Sequence, residues 1–255
     1  KNTHYDGLQG VNPPVTTMYP KVSNGRVIIL YPGASPYAEK HPQIIILGHV
    51  FAHNGFTVYL PRIPPLKILD ITERNVPWFI QFYDWLLNVK KIDSRLITTI
   101  GISYGGGMLL KSLLTMKEQC QLPDNIMTYG TYANAETAIK FLLSGDIRYE
   151  NKLYKIVPHE WGLIVIFHNF LKNLDLPWDT TGIEQVLHMQ IIENYNQRDH
   201  LICKLPNYQK NIVQSIISGE VTLKVKELVQ EIIINEQDTF RALSPKNWCN
   251  KIHNK

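Results

Sequence analysis

Hydrophobic positions along the chain follow two patterns. Through residue 129, short β-branched runs alternate with stretches of helical period. Residues 26–31 read RVIILY, an unbroken apolar run closed by Pro32-Gly33. Such a run predicts a strand buried on both faces, followed by a turn. Residues 38–54 carry Ile44, Leu47, Val50 and Phe51 at helical spacing, with Gly55 at the stop. Residues 56–60 (FTVYL) predict a second strand, closed by Pro61. Over 77–89, Trp78, Phe82, Trp85 and Val89 share one helical face, and Pro77 suits a first helical turn. Residues 96–100 (LITTI) predict a third strand. Residues 104–116 predict a helix through Met108, Leu109, Leu113 and Leu114, and 125–129 (NIMTY) a fourth strand. Strands alternating with helices of this length imply an α/β fold: a doubly wound, mainly parallel sheet covered on both faces.

Beyond residue 133 the strand signal fades and helical spacing takes over. Ile164, Phe167, His168 and Leu171 mark one helix over 160–174. Val186, Leu187 and Ile191 mark another over 183–195, and 212–234 is helical with a break near Gly219. This predicts a helical cap inserted in the α/β domain. The boundaries expected are 1–132 for the core, 133–240 for the cap and 241–255 for a segment returning toward the core. No Gly/Ser or Pro-rich linker separates them, and there is no internal repeat.

Composition narrows the function classes. The 255 residues are 44% hydrophobic and 19% charged, enough apolar material for a full core and unlike a disordered chain. The longest apolar runs, at 27–31 and 162–167, are too short to cross a bilayer. The net charge of +4 is small and dispersed, so no nucleic-acid partner is expected. Cys120, Cys203 and Cys249 share no close spacing, and no two histidines have zincin spacing. Neither a disulfide framework nor a metal site is therefore expected, and no cofactor. A reducing, cytoplasmic setting is the expectation, with any targeting segment ahead of Lys1 lying outside this sequence.

The candidate chemistry sits at Gly101-Ile102-Ser103-Tyr104-Gly105, a G-x-S-x-G pentapeptide between a predicted strand and a predicted helix. A serine at such a bend stands in strained backbone with its hydroxyl projecting beyond the sheet. Gly101 and Gly105 let neighbouring backbone approach without a Cβ clash. The helix that follows points its N-terminus at the serine, which favours developing negative charge. The Tyr104 N–H, next after the nucleophile, is a candidate oxyanion donor. The loop after the first strong strand, Tyr31-Pro32-Gly33-Ala34-Ser35, supplies a second. Ala34 is the candidate there, with Gly33 and Ser35 as the alternatives. A phosphate-binding reading of Gly105-Gly106-Gly107 fails, because no Lys-Ser/Thr follows and the dinucleotide spacing is absent.

These pieces together resemble the α/β-hydrolase superfamily, and within it the dienelactone hydrolase and esterase-like serine hydrolases. The matching segments are RVIILYPGAS, HNGFTVYLPRIPPL, LITTIGISYGGGMLL and IMTYGTYAN, within residues 15–145. Tyr31-Pro32-Gly33 replaces the common His-Gly pair, and Arg62 stands where the family often has Asp. The resemblance implies a Ser–His–acid triad acting on a small ester or related acyl substrate, with chain order serine, acid, histidine. It also implies that the segment FRALSPKNWCNKIHNK leads into a core strand carrying the remaining catalytic groups. The expectation is thus a fold incomplete at its C-terminus, with acid and base beyond Lys255. The alternative completes the triad internally, from His159, His168, His188, His200 or His253 with Glu136, Asp146 or Asp179. His49 and His53 read as surface or packing residues. Trp161, Phe167, Phe170, Leu171 and Trp178 are candidates to line an acyl pocket, or simply to pack the cap. Two other functions stay open: a non-catalytic binding module on the hydrolase scaffold, and a peptidase or carbon–carbon hydrolase using the same nucleophile.

Overall fold

A computed structural model describes residues 2–119, 122–159 and 161–253. Cys120 therefore lies outside the described residues. The chain divides into two compact units, Lys1–Ala133 with Leu243–Lys255, and Asn134–Ala242.

The first unit is built on six strands: β1 (Asn2–His4), β2 (Pro14–Met18), β3 (Val27–Tyr31), β4 (Thr57–Pro61), β5 (Ile97–Ile102) and β6 (Asn125–Tyr129). Their spatial order is β1-β2-β4-β3-β5-β6. The β4-β3-β5-β6 block is parallel, and β1 and β2 add to its far side antiparallel. The helices are α1 (Pro42–His53), α2 (Pro64–Lys67), α3 (Val76–Asn88) and α4 (Tyr104–Glu118).

All five residues of β3 are buried, as an uninterrupted β-branched run requires of a central parallel strand. Ile28 and Leu30 point to one face, where they pack with Val58, Leu60 and Ile100 against Ile44 and Ala52 of α1. Tyr31 points to the other. It stacks on Phe79 of α3 with ring centroids 4.3 Å apart, and its hydroxyl donates to the Phe79 carbonyl at 3.0 Å. Both faces of the sheet centre are covered.

Two helical faces are rotated from those expected. Val50 and Val89 are exposed, while α3 buries Phe79, Phe82, Tyr83, Trp85 and Leu86. The reason is the aromatic cluster: Tyr5 and Tyr31 both meet Phe82, which places the centre of the buried stripe one position away from Trp78. Val89 lies past the last helical residue. His49 and His53 are exposed on α1.

The second unit comprises α5 (Ala135–Ser144), a hairpin of β7 (Asp146–Tyr149) and β8 (Lys152–Lys155), then α6 (Trp161–Phe170), α7 (Thr181–Ile191), α8 (Tyr195–Lys204), α9 (Asn207–Ser218), α10 (Leu223–Asn235) and most of α11 (Gln237–Leu243). The hairpin corrects the sequence reading, which saw no strands here. Its residues alternate with charges and its turn, Glu150-Asn151, lacks the glycine that signals a tight hairpin. The break near Gly219 is a left-handed glycine at φ 73° that closes α9. Phe167, Phe170 and Leu171 are buried in this unit's own core, Phe170 edge-on to Phe240 at 5.1 Å. Trp178 meets Tyr208 at 5.8 Å.

The chain then returns to the first unit. The Lys246 N–H donates to the Ala133 carbonyl at 2.9 Å. Lys117 of α4 donates to the carbonyls of Lys251 and Ile252, both in α12 (Asn250–His253), at 2.9 and 3.2 Å.

Candidate active site

Ser103 stands between the last residue of β5 and the first of α4, with φ 51° and ψ −127°. A non-glycine residue rarely occupies this conformation, which costs about 1–3 kcal/mol and persists only where its surroundings fix it. A serine just before a helix ordinarily caps it by accepting from the second or third helical N–H. Here the side chain makes no capping hydrogen bond. The backbone turns it away from the helix, and the residue is exposed. Among the described residues no side chain hydrogen-bonds the Ser103 hydroxyl.

The surroundings fix this backbone on two sides. On the β3 side the fit is steric. A Cβ on Gly105 would lie 2.0 Å from the Pro32 carbonyl oxygen, and one on Gly101 would lie 2.6 Å from the Gly106 Cα. Only glycine is admitted at either position, as the pentapeptide implies. On the β6 side the fit is by hydrogen bonds. The Ser103 N–H donates to the Tyr129 carbonyl at 2.8 Å. The Ser103 carbonyl accepts from the Gly106 N–H at 3.0 Å and from the Thr131 Oγ1 at 2.5 Å. Thr131 was not legible as a site residue: an ordinary polar residue past a strand end carries no motif. Gly106 is tied to it, since a Cβ there would lie 1.8 Å from the Thr131 hydroxyl oxygen.

Tyr104 opens α4, and the first helical N–H groups have no intrahelical acceptor. That leaves its amide available beside the serine. Its side chain points elsewhere, donating to the Ile71 carbonyl at 2.6 Å and stacking on Tyr132 with centroids 5.8 Å apart. Burial, together with Tyr132, Asp70 and Glu73, holds the Tyr104 phenol well above the usual tyrosine range. It stays neutral and serves as a tether for the loop before α3.

Of the loop after β3, Gly33 comes against the serine: a Cβ on Gly33 would lie 3.1 Å from the Ser103 Cβ and 3.7 Å from its Oγ. Ala34 follows it, half-buried. The same loop is anchored by a pair the sequence did not reveal. Arg62, just past β4, donates to both Glu39 carboxylate oxygens, at 2.7 and 3.0 Å. Glu39 is 1% exposed and Arg62 partly exposed, so this is a half-buried, bidentate ion pair between the end of β4 and the short turn at Ala38–Lys40 that leads into α1. Arg62 thus ties the end of β4 to the turn that follows the loop of Gly33 and Ala34.

His159, His168, His188, His200, Glu136, Asp146 and Asp179 all belong to the Asn134–Ala242 unit, apart from the unit that carries Ser103. His159 accepts from the Trp161 N–H through Nδ1 at 3.2 Å. Asp179 accepts from Thr181 and sits below the usual carboxylate range because of those bonds. Glu136 pairs with Lys140 at 2.5 Å. The His253 side chain lies outside the described residues.

No family model matches the chain, and no curated protein matches it. Solved structures do. It is similar to a dienelactone hydrolase from Anabaena variabilis, at 15% identity and a TM-score of 0.41, over 55% of this chain and 67% of that one. It is similar to oligopeptidase B from Leishmania major, at 18% identity and a TM-score of 0.44, over 55% of this chain and 21% of that one. It is also similar to the esterase domain of a Rhodothermus marinus protein, at 13% identity and a TM-score of 0.42, over 59% and 57%. The chain spans only part of each.

Proposed function

We propose that this chain carries the nucleophile of an α/β-hydrolase-type serine hydrolase acting on an ester or related acyl compound. The observation that supports the reading is the conformation of Ser103: strained backbone at a strand-to-helix bend, with a hydroxyl that neither caps the helix nor is buried. A structural serine has no use for that strain, whereas a nucleophile does.

In this reading the Ser103 Oγ attacks the acyl carbon and a histidine takes its proton. The oxyanion that forms accepts from the Tyr104 N–H and from an N–H of the loop at Gly33 and Ala34. The carbon–oxygen bond to the leaving alcohol then breaks, and the alcohol receives the proton. Water, deprotonated by the same base, attacks the acyl-enzyme and releases the acid. The N-terminus of α4 adds a favourable field at the oxyanion. No step uses a metal or cofactor.

A fluorophosphonate probe on the full-length protein tests the proposal. Stoichiometric labelling that Ser103→Ala abolishes is the expected result. Absence of labelling, or labelling that survives Ser103→Ala, overturns it.

A further inference from the structure

The β7–β8 hairpin plays no part in the proposed chemistry, and its exposure asks for an explanation. All eight strand residues are exposed, and β7 and β8 form a sheet of only two strands. The exposed set includes Ile147, Tyr149, Leu153 and Tyr154, at 38 to 63% of their full accessible surface. A hairpin of two strands is marginal in water, and apolar side chains gathered in the open mark a contact surface.

The register says which edge is open and what fits it. Glu150 and Asn151 have φ of 47° and 63°, so the turn is of the mirror-image type that joins tight hairpins. Tyr149 and Lys152 close it as a hydrogen-bonded pair. Alternation then sends the backbone groups of Tyr149 and Ile147 toward β8, and those of Arg148 and Asp146 toward the free edge. The Asp146 N–H is already accepted by Ser144 Oγ at 3.0 Å. The Arg148 N–H and the Asp146 carbonyl face outward with no such partner among the described residues. The Arg148 guanidinium has no ion pair among the described residues.

We propose that β7 pairs antiparallel with β7 of a second copy of this chain, about a two-fold axis through Ile147, giving a four-stranded sheet. Because Asp146 and Arg148 face outward, the axis can pass through residue 146, 147 or 148. Through 146 it sets aspartate against aspartate, and through 148 arginine against arginine. Through 147 it sets Asp146 opposite the second copy's Arg148, twice, and each Arg148 N–H meets the second copy's Asp146 carbonyl. Ile147 then meets its own counterpart in the closely spaced pair, on the face that also carries Tyr149 and Tyr154. Pairing along β8 offers nothing comparable, since its only charged residues are Lys152 and Lys155.

An edge this short makes a weak dimer, below the area of a standard permanent interface. Sedimentation equilibrium on the full chain from about 10 µM to about 1 mM is therefore the test. The wild type is expected to dimerise reversibly. Arg148→Asp and Asp146→Arg are each expected to weaken association at least about tenfold. Mixed in equal amounts, these two variants are expected to dimerise with each other, because aspartate again faces arginine at both positions. Asp146 also faces Lys155 across the hairpin at 3.6 Å. Should Asp146→Arg fail to fold, protection of the wild-type Arg148 amide from hydrogen exchange that grows with concentration reads the same edge. A wild type that stays monomeric throughout, as it would if this surface served a lipid or an unlike protein, overturns the proposal. So does a dimer that Arg148→Asp leaves intact, a mixture that stays monomeric, or an amide whose protection ignores concentration.

Discussion

β3 and β6 flank β5 on its two sides, in the same parallel sense and in registers that both reach the end of β5. They could hardly differ more in surroundings. Every residue of β3 is buried, whereas four of the five in β6 are exposed. Ser103 sits at the end of the strand between them and draws on both. The buried side shapes the bend by close approach, the Pro32 carbonyl lying where a side chain on Gly105 would be. The open side holds the bend by a hydrogen bond from the Ser103 N–H to the Tyr129 carbonyl and one from the Thr131 hydroxyl to the Ser103 carbonyl. A strained serine is thus kept in place by packing that cannot yield on one flank, and by polar bonds exposed to competition from water on the other.

Substitutions on the two flanks measure that asymmetry. The largest effect is expected from Ile29→Lys on β3. It puts an unpaired charge into a fully buried site of a strand covered on both faces, and the chain should not fold, as read by circular dichroism and solubility. Gly105→Ala comes next. Its new methyl meets backbone, not a flexible side chain, so a loss of about 3–5 kcal/mol in denaturant unfolding is expected, together with loss of probe labelling at Ser103. If Gly105→Ala unfolds at the wild-type midpoint, the steric half of the comparison fails. Thr131→Val keeps shape but removes the donor to the Ser103 carbonyl. It should cost about 1 kcal/mol and slow fluorophosphonate labelling several-fold, with Thr131→Ser restoring the rate. Unchanged labelling in Thr131→Val would show that the open flank contributes nothing to the nucleophile. The smallest effect is expected from Met127→Lys on β6, where the side chain is 54% exposed; a change within about 0.5 kcal/mol is predicted by the same unfolding measurement. A large loss there would mean that β6 is covered in solution.

That contrast also marks how far the sequence could be read. RVIILY and NIMTY both predict strands, and both are strands. A run of β-branched and apolar residues excludes water wherever it goes, so β3 announced its burial as well. NIMTY carries too little apolar surface to settle the matter; β6 stands last in the sheet order among the described residues. β1 and β2 were not anticipated at all: short antiparallel strands with mixed polarity have no periodicity to distinguish them from loop. The hairpin at 146–155 escaped for a related reason, its turn being built from Glu150 and Asn151 without glycine. At the candidate site, the pentapeptide pointed to Ser103, Tyr104 and the two glycines, and the close approach at Gly101 and Gly105 admits few residue types. Thr131, Glu39 and Arg62 escaped, since each acts through a partner far away in sequence.

What the sequence by itself determined is local: an α/β alternation, a buried central strand, and a serine at a bend that only glycines on either side permit. Those follow from sterics and periodicity within a few residues. What only the tertiary structure decided is pairwise and distant. It brought Arg62 to Glu39, Thr131 to the Ser103 carbonyl and Gly33 to the serine itself. The physical reason is that a hydrogen bond or an ion pair specifies a distance and a direction between two groups, and neither is written in the spacing of residues along one strand or helix.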